Sequence, residues 1–155
     1  MASVDSDERL VFHQRIRLPY RYTTGDQTKS FLLALAERRI LGSRCEECGL
    51  TLVPARPFCP ICAGRTGALV EVSDAGTLER ATVRIRDEGP ATFGLVRLDG
   101  ADTAFLHRLE VAPERLRSGL RVVARWDPDP APEITAISCF VEPGASEAST
   151  GDGGG

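Results

Sequence analysis

The chain has 155 residues, 42% hydrophobic and 26% charged, which is enough for one domain or two small modules on a shared core and too apolar for general disorder. Its net charge of -3 is uneven, with residues 1–72 summing to +2 and residues 73–142 to -3, so neither half carries the basic footprint of a nucleic-acid binder. No apolar run approaches the roughly 20 residues of a membrane span, and the polar start Met1–Arg9 lacks a signal-peptide pattern.

Residues 1–18 have weak patterning and read as an arm, and residues 19–42 as a helical segment. Thr24 with Gln27 has the form of a capping box, with Thr23 and Asp26 as a rival start. Phe31, Leu32, Leu35 and Ala36 then share one face of a helix running to about Arg39, with Gly42 as its C-terminal cap. That face packs either on the chain's own core or on a partner. Residues 43–68 form a cysteine module punctuated by Gly49, Pro54, Pro57, Pro60 and Gly64.

After the module the period of the pattern changes to two. Leu69–Val72, Thr77–Arg86, Phe93–Leu98, Ala104–Val111, Leu120–Trp126 and Ile134–Val141 read as strands. Gly76 joins the first two into one long strand with a bend or bulge. Asp99-Gly100 marks a tight turn, and Ala112–Ser118 a short helix opened by Pro113. Five strands with a helix between the third and fourth is the order of an OB-fold barrel, here residues 69–142. The fold class is therefore mainly β with little α: an N-terminal helix, a four-cysteine rubredoxin-like zinc ribbon and a five-stranded OB-fold barrel. Residues 143–155, rich in Gly, Ser and Ala, read as a flexible tail.

The cysteines carry the strongest chemical signal. Cys45-Glu-Glu-Cys48 and Cys59-Pro-Ile-Cys62 are separated by ten residues. Two residues between paired thiols allow a tight turn to bring both sulfurs to one tetrahedral ion, and four sulfurs suit zinc, with mononuclear iron as the minority alternative. Four thiolates close the coordination shell and leave no position for a catalytic water, so one structural Zn2+ per chain is the expectation. Paired CxxC motifs fit a reducing compartment, by default the cytoplasm.

No catalytic set accompanies the metal motif. The two histidines, His13 and His107, lie apart, and no GxSxG elbow, P-loop or GxGxxG occurs. Cys139, within Ile-Ser-Cys-Phe-Val, reads as a buried inert thiol, and Asp127, Asp129 and Glu133 as a solvated loop. Phe93, Phe105, Trp126 and Phe140 are few aromatics for a base-stacking groove. No catalytic residue is assigned.

In order, Tyr20-Arg-Tyr22, the helix around Phe31–Leu35, Leu41-Gly42-Ser-Arg44-Cys45-Glu-Glu-Cys48-Gly49, Pro54-Ala-Arg56 and Cys59-Pro60-Ile-Cys62 resemble the acyl-CoA-associated zinc-ribbon/OB-fold proteins, a family of the domain-of-unknown-function type. Gly76-Thr77-Leu78, Gly94–Gly100 and Gly119–Val123 continue the likeness through the barrel, over about residues 19–142. The nearest type within the family is the accessory subunit of the thiolase-like aldolase of steroid side-chain degradation. The resemblance implies a non-catalytic subunit that completes a thiolase-superfamily, lipid-transfer-protein-like aldolase or thiolase in a heterotetramer. The partner would cleave a carbon–carbon bond of a β-hydroxyacyl-CoA, with the acyl-CoA shared between the subunits and neither nucleic acid nor membrane involved. Arg44, Arg56 and Arg65 bracket the cysteines and are candidate contacts for CoA phosphates, against the plainer reading of salt bridges or solvent exposure. Two other classes compete: an independent OB-fold module for single-stranded nucleic acid and a small rubredoxin-like redox protein.

Overall fold

In the computed structural model, which describes residues 2–4, 10–12, 14–19, 21–86 and 89–145, the apolar stripe of residues 26–36 forms helix α1 (Asp26–Ala36). His13, Tyr20 and most of the expected tail lie outside the described residues. Within the expected arm, β1 (Ala2–Val4) pairs antiparallel with β2 (Leu10–Phe12). The N-cap of α1 is Gly25, which makes no side-chain capping bond, so neither expected capping box forms. Gln27 instead turns away from the helix end and donates from Nε2 to the Gly67 carbonyl at 3.1 Å. The helix also stops short of Arg39, because Arg38 takes a left-handed φ of 58° and ends the ladder.

Gly42 is accordingly not a helix cap. It lies within β3 (Ile40–Cys45), where a Cβ would stand 2.9 Å from the Leu52 carbonyl oxygen, and only glycine permits that approach. β3 is the central strand of a three-stranded antiparallel sheet, flanked by β4 (Thr51–Leu52) and β5 (Thr66–Val72).

β5 and β6 (Ala75–Arg86) are separate strands, not one bent strand. The break falls at Ser73-Asp74, so Leu69–Val72 pairs with β3 in the ribbon sheet, Ile40 opposite Val72 and Ser43 opposite Leu69. The shift of register in β6 lies between Leu78 and Arg80, not at Gly76.

From β6 the chain runs through β7 (Gly89–Leu98), β8 (Phe105–Leu109), β9 (Arg121–Trp126) and β10 (Ile137–Val141). These five close into a barrel, all neighbours antiparallel except the pair β8 and β10. This is the OB-fold connectivity expected from the strand order. Between β8 and β9 the expected helix shrinks to one 3-10 turn, η1 (Pro113–Arg115), which buries no residue and gives way to extended backbone at Leu116. A second turn, η2 (Ile134–Ala136), occupies the start of the last expected strand.

One apolar core joins helix, ribbon sheet and barrel: Phe31 and Leu35 of α1, Ile40, Val53 and Val72 of the ribbon, and Leu78, Val96, Phe105, Val122 and Phe140 of the barrel. Phe31 meets Phe105 edge to face with ring centres 6.3 Å apart. The apolar face of α1 is thus spent on the chain's own core. Polar bonds lock the same junction. The Thr51 amide donates to Asp102 Oδ2 at 2.8 Å, and the Val53 amide to Thr103 Oγ1 at 2.9 Å.

Candidate metal centre

The two CxxC segments fold as matching knuckles. The Gly49 amide donates to the Cys45 carbonyl at 3.0 Å, and the Ala63 amide to the Cys59 carbonyl at 2.9 Å. Return bonds close each turn, from the Cys45 amide to Leu50 (2.9 Å) and from the Cys59 amide to Gly64 (2.8 Å). Each turn needs a left-handed residue after its second cysteine. Gly49 supplies it at φ 73°, while Ala63 accepts it at φ 59° with a Cβ present, which costs about 1–2 kcal/mol. The knuckles are tied to one another by the Glu46 amide, which donates to the Arg65 carbonyl at 3.0 Å.

This scaffold gathers the sulfurs of Cys45, Cys48, Cys59 and Cys62 to within 4.8 Å of one another. Sγ of Cys45 lies 3.5 Å from that of Cys62, and Sγ of Cys48 lies 3.7 Å from that of Cys59. A tetrahedron with zinc–sulfur bonds of about 2.3 Å has edges of about 3.8 Å, so the four sulfurs fit one four-coordinate ion of that size. Cys45 and Cys59 are buried and Cys48 and Cys62 exposed, which leaves one side of the cluster facing solvent.

Protonation follows the same pairing. The Cys45 thiol is pulled down to about 7 because the Cys48 amide donates to its sulfur, against the opposing effect of burial and with help from the Glu47 amide. Cys59 is lowered in the same way by the Cys62 amide. At Cys48 the Leu50 amide pulls downward, yet burial and the neighbouring sulfurs push the thiol up to about 12. Cys62 is likewise raised, its Gly64 amide outweighed chiefly by Cys45 and burial. One thiol of each knuckle is therefore ready to ionise and the other resists, as expected of four crowded sulfurs whose negative charge only a bound cation would balance.

The three arginines beside the module do not converge as clearly. Arg44 and Arg65 are exposed, and Arg56 is half-buried with Nε donating to the Pro54 carbonyl at 3.3 Å. No carboxylate pairs with any of them among the described residues. Ser43 is the ribbon residue that sequence reasoning missed: fully buried, it accepts from the Arg56 amide at 3.0 Å and donates to the Arg56 carbonyl at 2.9 Å. A serine on the predicted edge of a cysteine module carries no local signal for such a long-range bond.

The remaining candidates are structural. His107 is wedged against Phe105 and Phe140 at ring distances of 5.5 and 5.7 Å. Burial pushes its pKa below the ordinary imidazole value, opposed by the Ile134 and Arg108 carbonyls. Cys139 is fully buried and burial raises its thiol, as expected of an inert core cysteine. Phe105 and Phe140 are buried, and half-buried Trp126 donates from Nε1 to Asp74 Oδ2 at 3.2 Å. Among the described residues no helix is long and apolar enough to cross a membrane.

Comparison with known proteins agrees with this architecture. Residues 34–68 match the domain family described as "ChsH2, rubredoxin-like zinc ribbon domain". A "DUF35 domain-containing scaffold protein" of Pyrococcus furiosus is 32% identical over 90 residues, a match spanning 54% of this chain and 65% of that relative's length. A DUF35-family protein of unknown function from Sulfolobus solfataricus superposes with a TM-score of 0.55 at 27% identity, over 65% of this chain and 78% of that one. The "Ltp2-ChsH2(DUF35) aldolase" structure is similar in fold, with a TM-score of 0.60 at 23% identity over 79% of this chain and 98% of that one. The family resemblance seen in the residues is thereby upheld.

Proposed function

We propose that this zinc-ribbon/OB-fold chain of the ChsH2/DUF35 type is a non-catalytic accessory subunit that binds and completes a thiolase-superfamily aldolase or thiolase. The observation that carries the reading is the four-sulfur cluster on a ribbon that shares one core with an OB barrel, with no nucleophile–base pair beside it among the described residues. Such a cluster is suited to holding shape, and a pre-shaped surface binds with little entropic loss. The ion we assign is one structural zinc per chain, held by Cys45, Cys48, Cys59 and Cys62, which would cross-link two turns that share little apolar core.

For the complex we propose a heterotetramer in the cytoplasm whose partner cleaves a carbon–carbon bond of an acyl-CoA, with a steroid side-chain β-hydroxyacyl-CoA as the finer assignment. Arg44 and Arg65, exposed and without carboxylate partners among the described residues, are our candidates to meet CoA phosphates, with Arg56 beside them. Co-production with a thiolase-superfamily protein encoded next to this chain tests the reading. A stable complex containing about one zinc per accessory chain, with retro-aldol activity absent from either subunit alone, is expected. Failure of every such neighbour to form a complex, or full partner activity without this chain, would refute it.

A further inference from the structure

Helix α1 turns Phe31, Ala34 and Leu35 onto the chain's own core and leaves Leu33 half-exposed, whereas the outer surface of the barrel offers a broader apolar place for a partner. Two cross-strand rows lie side by side on β6, β7 and β8. One runs Arg80, Leu95, Leu106 and the other Thr82, Phe93, Arg108. Residues directly opposite across strands project to the same side of a sheet. The row between them, Ala81, Gly94, His107, belongs to the other face. Leu106 is 61% exposed and Leu95 37%, and Ile134 of η2, 43% exposed, continues the patch beyond β8.

The patch has relief as well as polarity. Phe93 and Leu106 form a ridge shared by two hollows. One, of about 320 Å³, lies toward Arg80 and Thr82. The other, of about 520 Å³, lies toward Arg108 and Ile134.

Three arginines dominate its rim, against one acidic residue, Asp127, lining the larger hollow. Arg80 donates to the Glu79 carbonyl and to Ser118 Oγ, and Arg84 lies over the Phe93 ring at 5.5 Å; neither has a carboxylate partner among the described residues. Arg108 reaches Glu110 only at 3.8 Å, and Glu110 is already paired with Arg125. An apolar, partly aromatic centre ringed by arginine is the composition of a protein-binding surface.

We infer that this face of β6–β8 is the docking surface for the partner subunit, and that its occupant is an extended acidic segment carrying two apolar side chains, one for each hollow. The partner's class rests on the accessory-subunit reading; the location and chemistry of the surface rest on the barrel alone. The same face of a second copy is a poor occupant, since it would set Arg80, Arg84 and Arg108 against like charges. A nucleic-acid strand fits less well too, because Phe93 is the one barrel phenylalanine not fully buried and Arg84 already covers its ring.

The test uses the full chain co-produced with the thiolase-superfamily subunit, with metal content and thermal unfolding as checks on folding. Leu106→Asp should weaken the complex about 100-fold, and Arg80→Glu about tenfold with a shallower salt dependence. Leu18→Asp, at an exposed apolar residue outside both ribbon and barrel, should bind within about twofold of the unaltered chain. Unchanged binding by Leu106→Asp and Arg80→Glu, or an equal loss from Leu18→Asp, overturns the assignment.

Should no thiolase-superfamily subunit bind the unaltered chain, the accessory reading fails and the surface is judged by direct titration. The probes are the peptide acetyl-Asp-Leu-Glu-Leu-Asp-amide, its lysine counterpart and oligothymidylate, followed by the amide resonances of Phe93, Leu95 and Leu106. Saturable shifts with the acidic peptide alone uphold the surface. No shift with it, or equal shifts with oligothymidylate, overturns it.

Discussion

The ribbon tip and the barrel solve the same problem by different means. Among the described residues, the buried apolar set around the knuckles is Cys45, Leu52 and Cys59, with Leu50 against them. The barrel shares with α1 and the ribbon sheet a continuous core that includes Phe31, Leu98, Phe105, Val122 and Phe140. The tip is therefore the part whose shape a metal bound by the four sulfurs would hold, whereas the barrel depends on area removed from water. The lesson is that one chain can divide its stability between coordination and burial, and that the two halves should respond to different perturbations.

Metal removal should give the largest effect, since structural zinc contributes about 10–16 kcal/mol in zinc-finger peptides. In chelator, or in Cys45→Ser, backbone amides from Cys45 to Gly64 should lose hydrogen-exchange protection while those of β7 and β8 keep theirs. Simultaneous loss in both regions would show that tip and barrel are one cooperative unit and would dissolve the comparison. Next comes Phe105→Ala, which empties the site between Phe31 and Phe140 and should cost about 3–5 kcal/mol in denaturant unfolding, with metal content unchanged.

A smaller effect is tied to pH. His107 is kept neutral by burial, so its folded pKa lies below that of the unfolded chain, about 6.5. Its contribution is therefore complete above that value and is lost as pH falls from about 6.5 through the lower folded value. Stability curves between pH 5 and pH 7 should slope downward toward acid in the unaltered chain and flatten in His107→Gln. An identical slope in the variant would place the titration elsewhere. The smallest effect concerns the asymmetry of the two knuckles. Ala63→Gly should stabilise the metal-loaded chain by about 1 kcal/mol, because it removes the left-handed Cβ penalty that Gly49 avoids in the matching turn. A lower melting temperature would mean that the extra freedom of glycine in the unfolded chain outweighs that relief.

Several features were legible along the chain because they are local. The spacing within and between the CxxC pairs sets the turns that gather four sulfurs, and alternation of apolar residues marks the barrel strands. Element ends were less legible. Gly42 has the composition of a helix cap but serves a strand pressed against Leu52, and Arg38 ends the helix instead without any glycine signal. The residues 112–118 have helical composition, yet they bury too little to hold more than one turn.

What the residue order determined by itself is the chemistry of short range: the four gathered cysteines, the order of the barrel strands and the face of α1. Only the tertiary structure decided which partner each element takes. It assigned β5 to the ribbon sheet, bonded Asp102 and Thr103 to the ribbon, spent the helix face on Phe105 and left Leu95 and Leu106 exposed on the barrel beside half-buried Phe93. The physical reason is that spacing and period constrain residues a few positions apart, whereas burial is settled between residues dozens of positions apart, where a local pattern carries no address.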